Sequence, residues 1–205
     1  MTQTLQAKNV TLRDLIDNFG LELVKDQQFF CEWQDNLPDI TESEQQFLDK
    51  VQEGYLNLVE YPPLIEKTIQ IAVLAPIFFL AGFYLPPFHI QAEQSIEIEA
   101  EDHGVIIRGQ LDLLLLKDQF WIMVVESKRA TFSIEAGLSQ LLSYMLASPD
   151  PSRPGFGLVA SGNDFIFVKL VQGKPPLYAT SDQFAIRNHG DLYQVYKTLK
   201  RISAL

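Results

Sequence analysis

Hydrophobic and polar positions alternate along the middle of the chain with the period of β-strands. Three segments rich in Ile, Leu, Val and aromatic residues are separated by short polar turns. These predicted strands are about 91–100, 104–116 and 120–127. In the first strand, Glu97 and Glu99 alternate with apolar residues, which is typical of a half-buried strand with an acidic outer face. The short connections predict an antiparallel meander.

Helical patterns lie on both sides of this meander. The predicted helices are about 11–19, 42–58, 64–81, 134–147 and 191–201. Thr41 and Glu44 form a capping-box pattern at the start of the second helix, and Ser133 is the predicted N-cap of the fourth. In the third helix, Pro76 predicts a kink and Gly82 follows the end.

Two more strands are predicted after the fourth helix, GFGLVAS at 155–161 and DFIFVKLV at 164–171, around a turn at Gly162-Asn163. The crossover from the strand that ends near Glu126, through helix 134–147, to strand 156–161 predicts one parallel pair. The fold class expected is therefore layered α/β (or α+β), with a central mixed β-sheet flanked by helices.

Composition favours one compact domain. The chain has 205 residues, of which 47% are hydrophobic and 20% charged, which is enough apolar material for one core. We expect a single domain over residues 1–205, with 1–60 as a helical lead-in and 61–205 as the core. Cys31 is the only cysteine, and the N-terminus lacks the apolar core of a secretory signal, so a cytoplasmic location is predicted.

Several function classes are disfavoured. The most apolar stretch, Ile71 to Leu85, is shorter than the roughly 20 residues of a spanning helix and contains Pro76, so no membrane segment is expected. The three histidines are far apart and Cys31 stands alone, which argues against zinc or thiol catalysis. The net charge of -10 opposes non-specific attraction to nucleic acid, so any DNA contact must rely on local positive charge.

Two acids stand out because they lie within or beside apolar strands. If the turn of the second hairpin centres on Gln119, residues whose numbers sum to 238 pair with each other, which sets Asp112 opposite Glu126. Directly opposed side chains have Cβ atoms about 4.5–5.5 Å apart, and two carboxylates at that distance repel unless a cation lies between them. Hard oxygen ligands suit Mg²⁺ or Mn²⁺.

Lys128 projects on the same strand face as Glu126, while Ser127 points to the other side and can offer its backbone carbonyl to a metal. A metal ion next to a lysine suits phosphodiester hydrolysis, because the metal polarises the phosphate and activates a bound water. The alternative is a structural ion-pair cluster of Asp112, Glu126 and Lys128.

These residues, in this order, resemble the PD-(D/E)xK nucleases, in particular the nuclease domain of type I restriction endonuclease motor subunits. Asp112 matches the first acid, Glu126-Ser127-Lys128 matches the ExK element, and Gln140 with Tyr144 matches the QxxxY signature. Residues 64–170 carry the resemblance, which also extends to small stand-alone restriction-endonuclease-like proteins. Leu111 replaces the proline of the family name.

The resemblance implies a restriction-endonuclease-like fold and metal-dependent DNA cleavage. Asp112, Glu126 and the Ser127 carbonyl would bind Mg²⁺ or Mn²⁺, and Lys128 would manage the attacking water. Glu66 would be the additional acid from the preceding helix, with Glu60 or Glu53 as alternatives.

The same resemblance implies that Gln140 and Tyr144 lie near the metal cleft and hold the DNA backbone or the lysine. If the resemblance is set aside, the sequence predicts that Tyr144 is a half-buried aromatic residue of the core and that Gln140 is a solvated neighbour. Arg129 can reach a phosphate or serve in a salt bridge.

No GxxxxGK[ST] phosphate loop occurs in the sequence, so an ATP-driven translocase is not expected. The sequence favours a Mg²⁺-dependent DNA endonuclease or nuclease subunit. The alternative, suggested by the acidic surface, is an inactive nuclease-fold protein that acts as a protein-interaction or oligomerisation module with an unidentified partner. By analogy with compact nucleases that use two sites to cut two strands, a homodimer is expected.

Overall fold

The computed structural model describes residues 3–61, 65–100, 105–117, 120–128, 134–161 and 163–205, and a mixed β-sheet forms its centre. The strands are β1 (Gln3–Gln6), β2 (Glu22–Leu23), β3 (Phe88–Ala100), β4 (Val105–Lys117), β5 (Phe120–Lys128), β6 (Gly155–Ser161), β7 (Asp164–Val171), β8 (Leu177–Thr180) and β9 (Phe184–Ala185). Their order is β1-β4-β5-β6-β7-β8-β2, with β3 paired to β4 and β9 paired to β7.

Helices cover both faces of this sheet. They are α1 (Leu12–Phe19), α2 (Glu42–Val59), α3 (Glu66–Ile69), α4 (Ala75–Leu80), α5 (Ile134–Leu146) and α6 (Asp191–Ser203). On one face, α2, α4 and α6 contribute Leu48, Phe78 and Leu199 to a buried cluster. On the other face, α1 and α5 contribute Leu15 and Leu141 to a second cluster. The predicted α/β architecture, a central mixed sheet flanked by helices, is confirmed.

The predicted N-terminal caps form as expected where the structure describes them. The Thr41 side chain accepts a hydrogen bond from the Glu44 N–H, and the Glu44 carboxylate accepts one from the Thr41 N–H. The same reciprocal arrangement joins Thr11 and Asp14 at the start of α1. Each capping box satisfies backbone donors that have no partner inside the helix. Ser133 lies outside the described residues.

The predicted meander and the parallel pair are both observed. β3, β4 and β5 pair antiparallel in sequence, and β5 pairs parallel with β6. A bulge between Leu115 and Leu116 shifts the β4–β5 register near the turn, so the predicted uniform register is wrong there. The predicted turns at 101–104 and Gly162 lie outside the described residues, as does Gln119.

Four strands were not predicted. β1 pairs parallel with β4 and β2 pairs parallel with β8, although this segment was expected to be a helical lead-in without strands. β8 and β9 both pair with β7. The N-terminal segment therefore contributes strands to the central sheet as well as helices.

The third predicted helix is interrupted. A π turn at Gln70–Leu74 joins α3 to α4, and the Ala75 N–H bonds to the carbonyl of Gln70, five residues earlier. Pro76 follows directly. It has no N–H to donate and its ring crowds the carbonyl four residues back, so a wider turn accommodates it. No helix in the described ranges is long and apolar enough to cross a membrane.

Candidate functional site

Asp112 lies at a gap in the pairing of β4. β3 lines one edge of β4, and the other edge is shared by β1, which pairs with 105–108, and β5, which pairs with 113–117. Asp112 falls between these two ladders. On the β3 side, Leu113 pairs with Ala92 and Leu111 pairs with Gln94, but the ladder skips Asp112 and Glu93.

The backbone around this gap is irregular. Glu93 has a φ of 56°, in the left-handed region that few side-chain-bearing residues adopt. The alternation of β4 side chains between the two faces of the sheet is also interrupted. Leu111 and Leu114 both join the cluster against α5, while Leu113 and Leu115 pack in the other cluster. Such irregularities in a strand change the direction in which a side chain points, and here the affected side chain is that of Asp112.

The Asp112 carboxylate contacts the neighbouring strand through Ser127. The Ser127 N–H and hydroxyl both donate to Asp112 Oδ2, at 2.7 Å and 2.5 Å. Gln70 Nε2 in turn donates to Ser127 Oγ at 2.7 Å. A side chain from the π turn, one from β5 and one from β4 thus form a continuous hydrogen-bonded chain.

The predicted β4–β5 register, in which the numbers of paired residues add up to 238, is correct on the side of the bulge away from the turn. There Leu113 pairs with Val125 and Leu115 with Met123. The ladder ends at Leu113, so Asp112 and Glu126 do not form the expected cross-strand pair. The Asp112 side chain instead meets Ser127, through the N–H and hydroxyl. That the Ser127 carbonyl binds a metal stays a prediction.

Glu126 is buried, with 2% of its surface exposed. By strand alternation it shares a side with Val124, which packs in the cluster against α5. A carboxylate removed from water in this way is stable only when hydrogen bonds, a positive charge or a metal ion compensate it. The backbone of Lys128 ends β5 beside Ser161, but the Lys128 side chain and all of Arg129 lie outside the described part of the chain.

Gln140 and Tyr144 contact each other on one face of α5, as their spacing predicts. Gln140 Nε2 donates to the Tyr144 hydroxyl at 2.9 Å, and that hydroxyl donates to the Gln110 carbonyl at 3.0 Å. Tyr144 is 2% exposed and Gln140 is 7% exposed, so Gln140 is not the solvated neighbour of the alternative interpretation. The Tyr144 side chain reaches β4 two residues before Asp112, and Gln140 bonds to its hydroxyl.

The Tyr144 hydroxyl is buried, and the charges of both acids act on it. Burial raises the pKa of the Tyr144 hydroxyl to about 12, and the negative charges of Glu126 and Asp112 add to this increase. The hydrogen bond that Gln140 donates to the Tyr144 hydroxyl acts in the opposite direction. The phenol is therefore a neutral hydrogen-bonding group at physiological pH.

Glu66 lies in the first turn of α3, which packs against β5. Its neighbour Lys67 forms an exposed ion pair with Glu93, 2.7 Å from Nζ to Oε1. The hydrogen bond that Lys67 donates to Glu93 is the main cause of the raised pKa of Lys67, and the charges of Glu93, Asp112 and Glu66 contribute further. Of the three helix acids considered, Glu66 is thus the one placed on the segment beside β5.

Sequence reasoning missed Gln70, Lys67 and Glu93. Gln70 lies four residues after Glu66, so a search for polar residues on the same helix face would have found it. The position of Glu93 depends on a left-handed backbone conformation that the strand pattern does not indicate.

The donor chemistry fits a hard divalent cation, because two carboxylates and a backbone carbonyl supply only oxygen ligands. Across the described ranges, no group of three or more His, Cys, Asp or Glu side chains is arranged to hold a metal ion. A metal ion at this site would have to be held by the predicted ligands, the carboxylates of Asp112 and Glu126 together with a backbone carbonyl.

The order of strands and the helices on both faces define a restriction-endonuclease-like α/β fold, as the sequence led us to expect. Among solved structures, the chain is similar to DrdV in a cryoEM structure of its DNA complex, with a TM-score of 0.52 and 14% identity. The match covers 76% of this chain and 14% of DrdV, so the chain corresponds to a small part of that protein. At this identity the similarity concerns the fold alone. No protein-family model and no curated protein matches the chain.

Proposed function

We propose that this chain is a Mg²⁺-dependent DNA endonuclease or nuclease subunit that hydrolyses phosphodiester bonds. The observation that carries the proposal is the contact of Asp112 with Ser127 at the gap in β4, directly beside the buried Glu126. The DNA present in the DrdV structure supports DNA as the substrate.

Asp112, Glu126 and the Ser127 carbonyl would hold Mg²⁺ or Mn²⁺. Both described hydrogen bonds to the Asp112 carboxylate end on Oδ2, so Oδ1 is the candidate metal ligand. When bound, the metal supplies polarisation of the phosphate and a lowered pKa for a coordinated water.

The surrounding side chains would orient the substrate and the attacking water. Lys128 would position that water and stabilise developing negative charge, while Glu66 assists from α3. Gln140 and Tyr144 would support the strand before Asp112, and Arg129 would bind a phosphate. Such local positive charge is needed because the net charge of -10 repels DNA at longer range.

Cleavage of a supercoiled plasmid in the presence of Mg²⁺ or Mn²⁺ tests the proposal. We expect Asp112→Asn and Lys128→Met each to reduce the rate by about 100-fold or more, while circular dichroism shows that folding persists. Asp150→Asn, at a site that caps a surface turn through Ser152, is the matched control and should cleave like the wild type. Equal residual cleavage by all variants would identify a contaminating nuclease and remove the assignment.

The second candidate is an inactive nuclease-fold protein that serves as an interaction or oligomerisation module. It is favoured by apolar side chains exposed along the segment from α3 to the turn after α4, including Ile71 (72%), Phe79 (63%) and Leu85 (63%). Calorimetric titration with Mn²⁺ separates the two candidates. A catalytic site should bind the ion in a way that depends on Asp112 and Glu126, whereas an inactive module should give no binding heat. Light scattering on the same samples tests the expected homodimer.

A further inference from the structure

Gln70 reaches the candidate site from a helix that carries none of its proposed metal ligands. It is the first residue of the π turn, and its side-chain amide donates to Ser127 Oγ at 2.7 Å. Ser127 is itself 1% exposed and Gln70 is partly buried, so this contact is largely removed from water. Shielded hydrogen bonds hold side chains in one orientation more firmly than exposed ones do.

The chemistry of the groups fixes the direction of this hydrogen-bonded chain. A side-chain amide nitrogen only donates, so Ser127 Oγ accepts from Gln70. The single hydroxyl proton of Ser127 is then available for Asp112 Oδ2, 2.5 Å away. With the Ser127 N–H, two donors converge on this one carboxylate oxygen, which fixes the orientation of the other oxygen.

The π turn explains how a helix can supply this contact. The bond from the Ala75 N–H to the Gln70 carbonyl anchors the Gln70 backbone, and Pro76 next to it disfavours a regular α-helical path. π turns inside helices occur frequently at functional sites, where the extra residue changes the direction of side chains.

We propose that Gln70 is a positioning residue for Asp112 that acts through the Ser127 hydroxyl. This inference rests on the proposed function, because it assigns Gln70 a part in holding the metal-binding carboxylate. Gln70 itself contacts neither the metal nor the DNA. Residues that orient metal ligands in this way typically contribute about 10- to 100-fold to metal affinity or activity.

A double-mutant cycle tests the proposal with Gln70→Met, which keeps the side-chain length but removes the donor, and Ser127→Ala, which removes the hydroxyl and leaves the backbone intact. We expect Gln70→Met to weaken Mn²⁺ affinity by about 10-fold and to lower kcat without changing the KM for DNA. The double variant should behave like Ser127→Ala alone, because Gln70 acts only through that hydroxyl.

Gln194→Met is the matched control. Gln194 is also a partly buried helix residue, and its amide donates to the Trp33 carbonyl away from the site. This variant should lose stability without any change in Mn²⁺ affinity. The proposal is overturned if Gln70→Met behaves like this control, if its effect multiplies with that of Ser127→Ala, or if the KM for DNA rises instead of kcat falling.

A crystal structure of Gln70→Met separates this inference from the proposed function. We expect the Ser127 hydroxyl to leave Asp112 Oδ2 or to adopt a second rotamer. If the wild-type protein neither binds Mn²⁺ nor cleaves DNA, the proposed function fails, and this structure still decides the positioning role. Unchanged Asp112 and Ser127 side chains would refute it.

Discussion

At the scale of single residues, Gly109 determines whether Tyr144 can reach β4. A Cβ atom at this position would lie 2.6 Å from the Ala7 Cβ and 2.7 Å from the Tyr144 hydroxyl. Real Cβ atoms do not approach other atoms so closely, and Ala7 is held by the adjoining strand. Glycine is therefore required for Tyr144 to bond to the Gln110 carbonyl, two residues before Asp112.

We predict that Gly109→Ala lowers the free energy of unfolding by about 1–3 kcal/mol, as overpacked core substitutions do. It should also displace Tyr144 and so reduce cleavage more than the loss of stability explains. Urea denaturation and the plasmid assay measure the two effects. Gly54→Ala is the control, because its Cβ would meet nothing within 4 Å in helix α2. That variant should gain about 0.5–1 kcal/mol, and a stability loss of the same size in both would contradict the steric explanation.

The parts of the site that sequence could predict are those set by local periodicity. The pairing of Gln140 with Tyr144 follows from a spacing of four on a helix, and the nearness of Asp112 to the Glu126-Ser127 pair follows from the hairpin register. The contact of Gln70 with Ser127 joins residues 57 positions apart, and no local pattern specifies it. Likewise, no local pattern indicates the bulge between Leu115 and Leu116, which shifts the β4–β5 register near the turn.

At the scale of elements, Glu44 joins the start of α2 to α6. Its carboxylate accepts hydrogen bonds from the Thr41 N–H, from the Tyr196 hydroxyl at 2.6 Å and from Lys200 Nζ at 3.0 Å. Burial alone would raise the pKa of Glu44, but these hydrogen bonds outweigh it and lower the pKa from 4.5 to about 2. The capping residue predicted from sequence is thus also a tertiary contact.

A depressed pKa means that the folded protein holds the charged form of Glu44 more strongly than the unfolded chain does. This stability is present above pH 4.5 and is lost as the pH falls toward 2. Between pH 4.5 and 2, we predict that the Glu44→Gln variant loses less stability than the wild type does, by up to about 3 kcal/mol. Thermal unfolding at pH 6, 4 and 2 measures it, with Glu42→Gln, an exposed acid in the same helical turn, as the control. Equal pH dependence in the two variants would show that Glu44 has no special role.

Element prediction succeeded where hydrophobic periods were long. β4, with 13 residues, and α2, with 18, carry strong patterns and were predicted within one or two residues. β1 has only four residues and a largely polar sequence, QTLQ, so its pairing with β4 comes from tertiary context that no local pattern shows. Pro76 indicated a break in the third helix, but the π form of that break depends on how α3 and α4 pack.

At the scale of the whole molecule, the sheet separates two hydrophobic clusters that must fold together if residues 1–205 are one domain. The two tryptophans report on the two sides, since Trp33 packs against the cluster of α2 and α6 and Trp121 against the cluster of α1 and α5. The strands between them contribute alternate side chains to both clusters, so loss of one cluster removes support for the other.

We therefore predict that the Trp33→Phe and Trp121→Phe variants, each with one remaining tryptophan, give fluorescence transitions in urea that coincide with far-ultraviolet circular dichroism measured on the same variant. Coincident transitions are the sign of cooperative, two-state unfolding. Because each substitution also changes stability, the comparison is made between the two probes within each variant. An early fluorescence transition of Trp121 alone would show that the side carrying α1, α5 and the N-terminal strand unfolds separately. In that case Asp112, whose strand is paired with β1, would lose its surroundings before the rest of the sheet does.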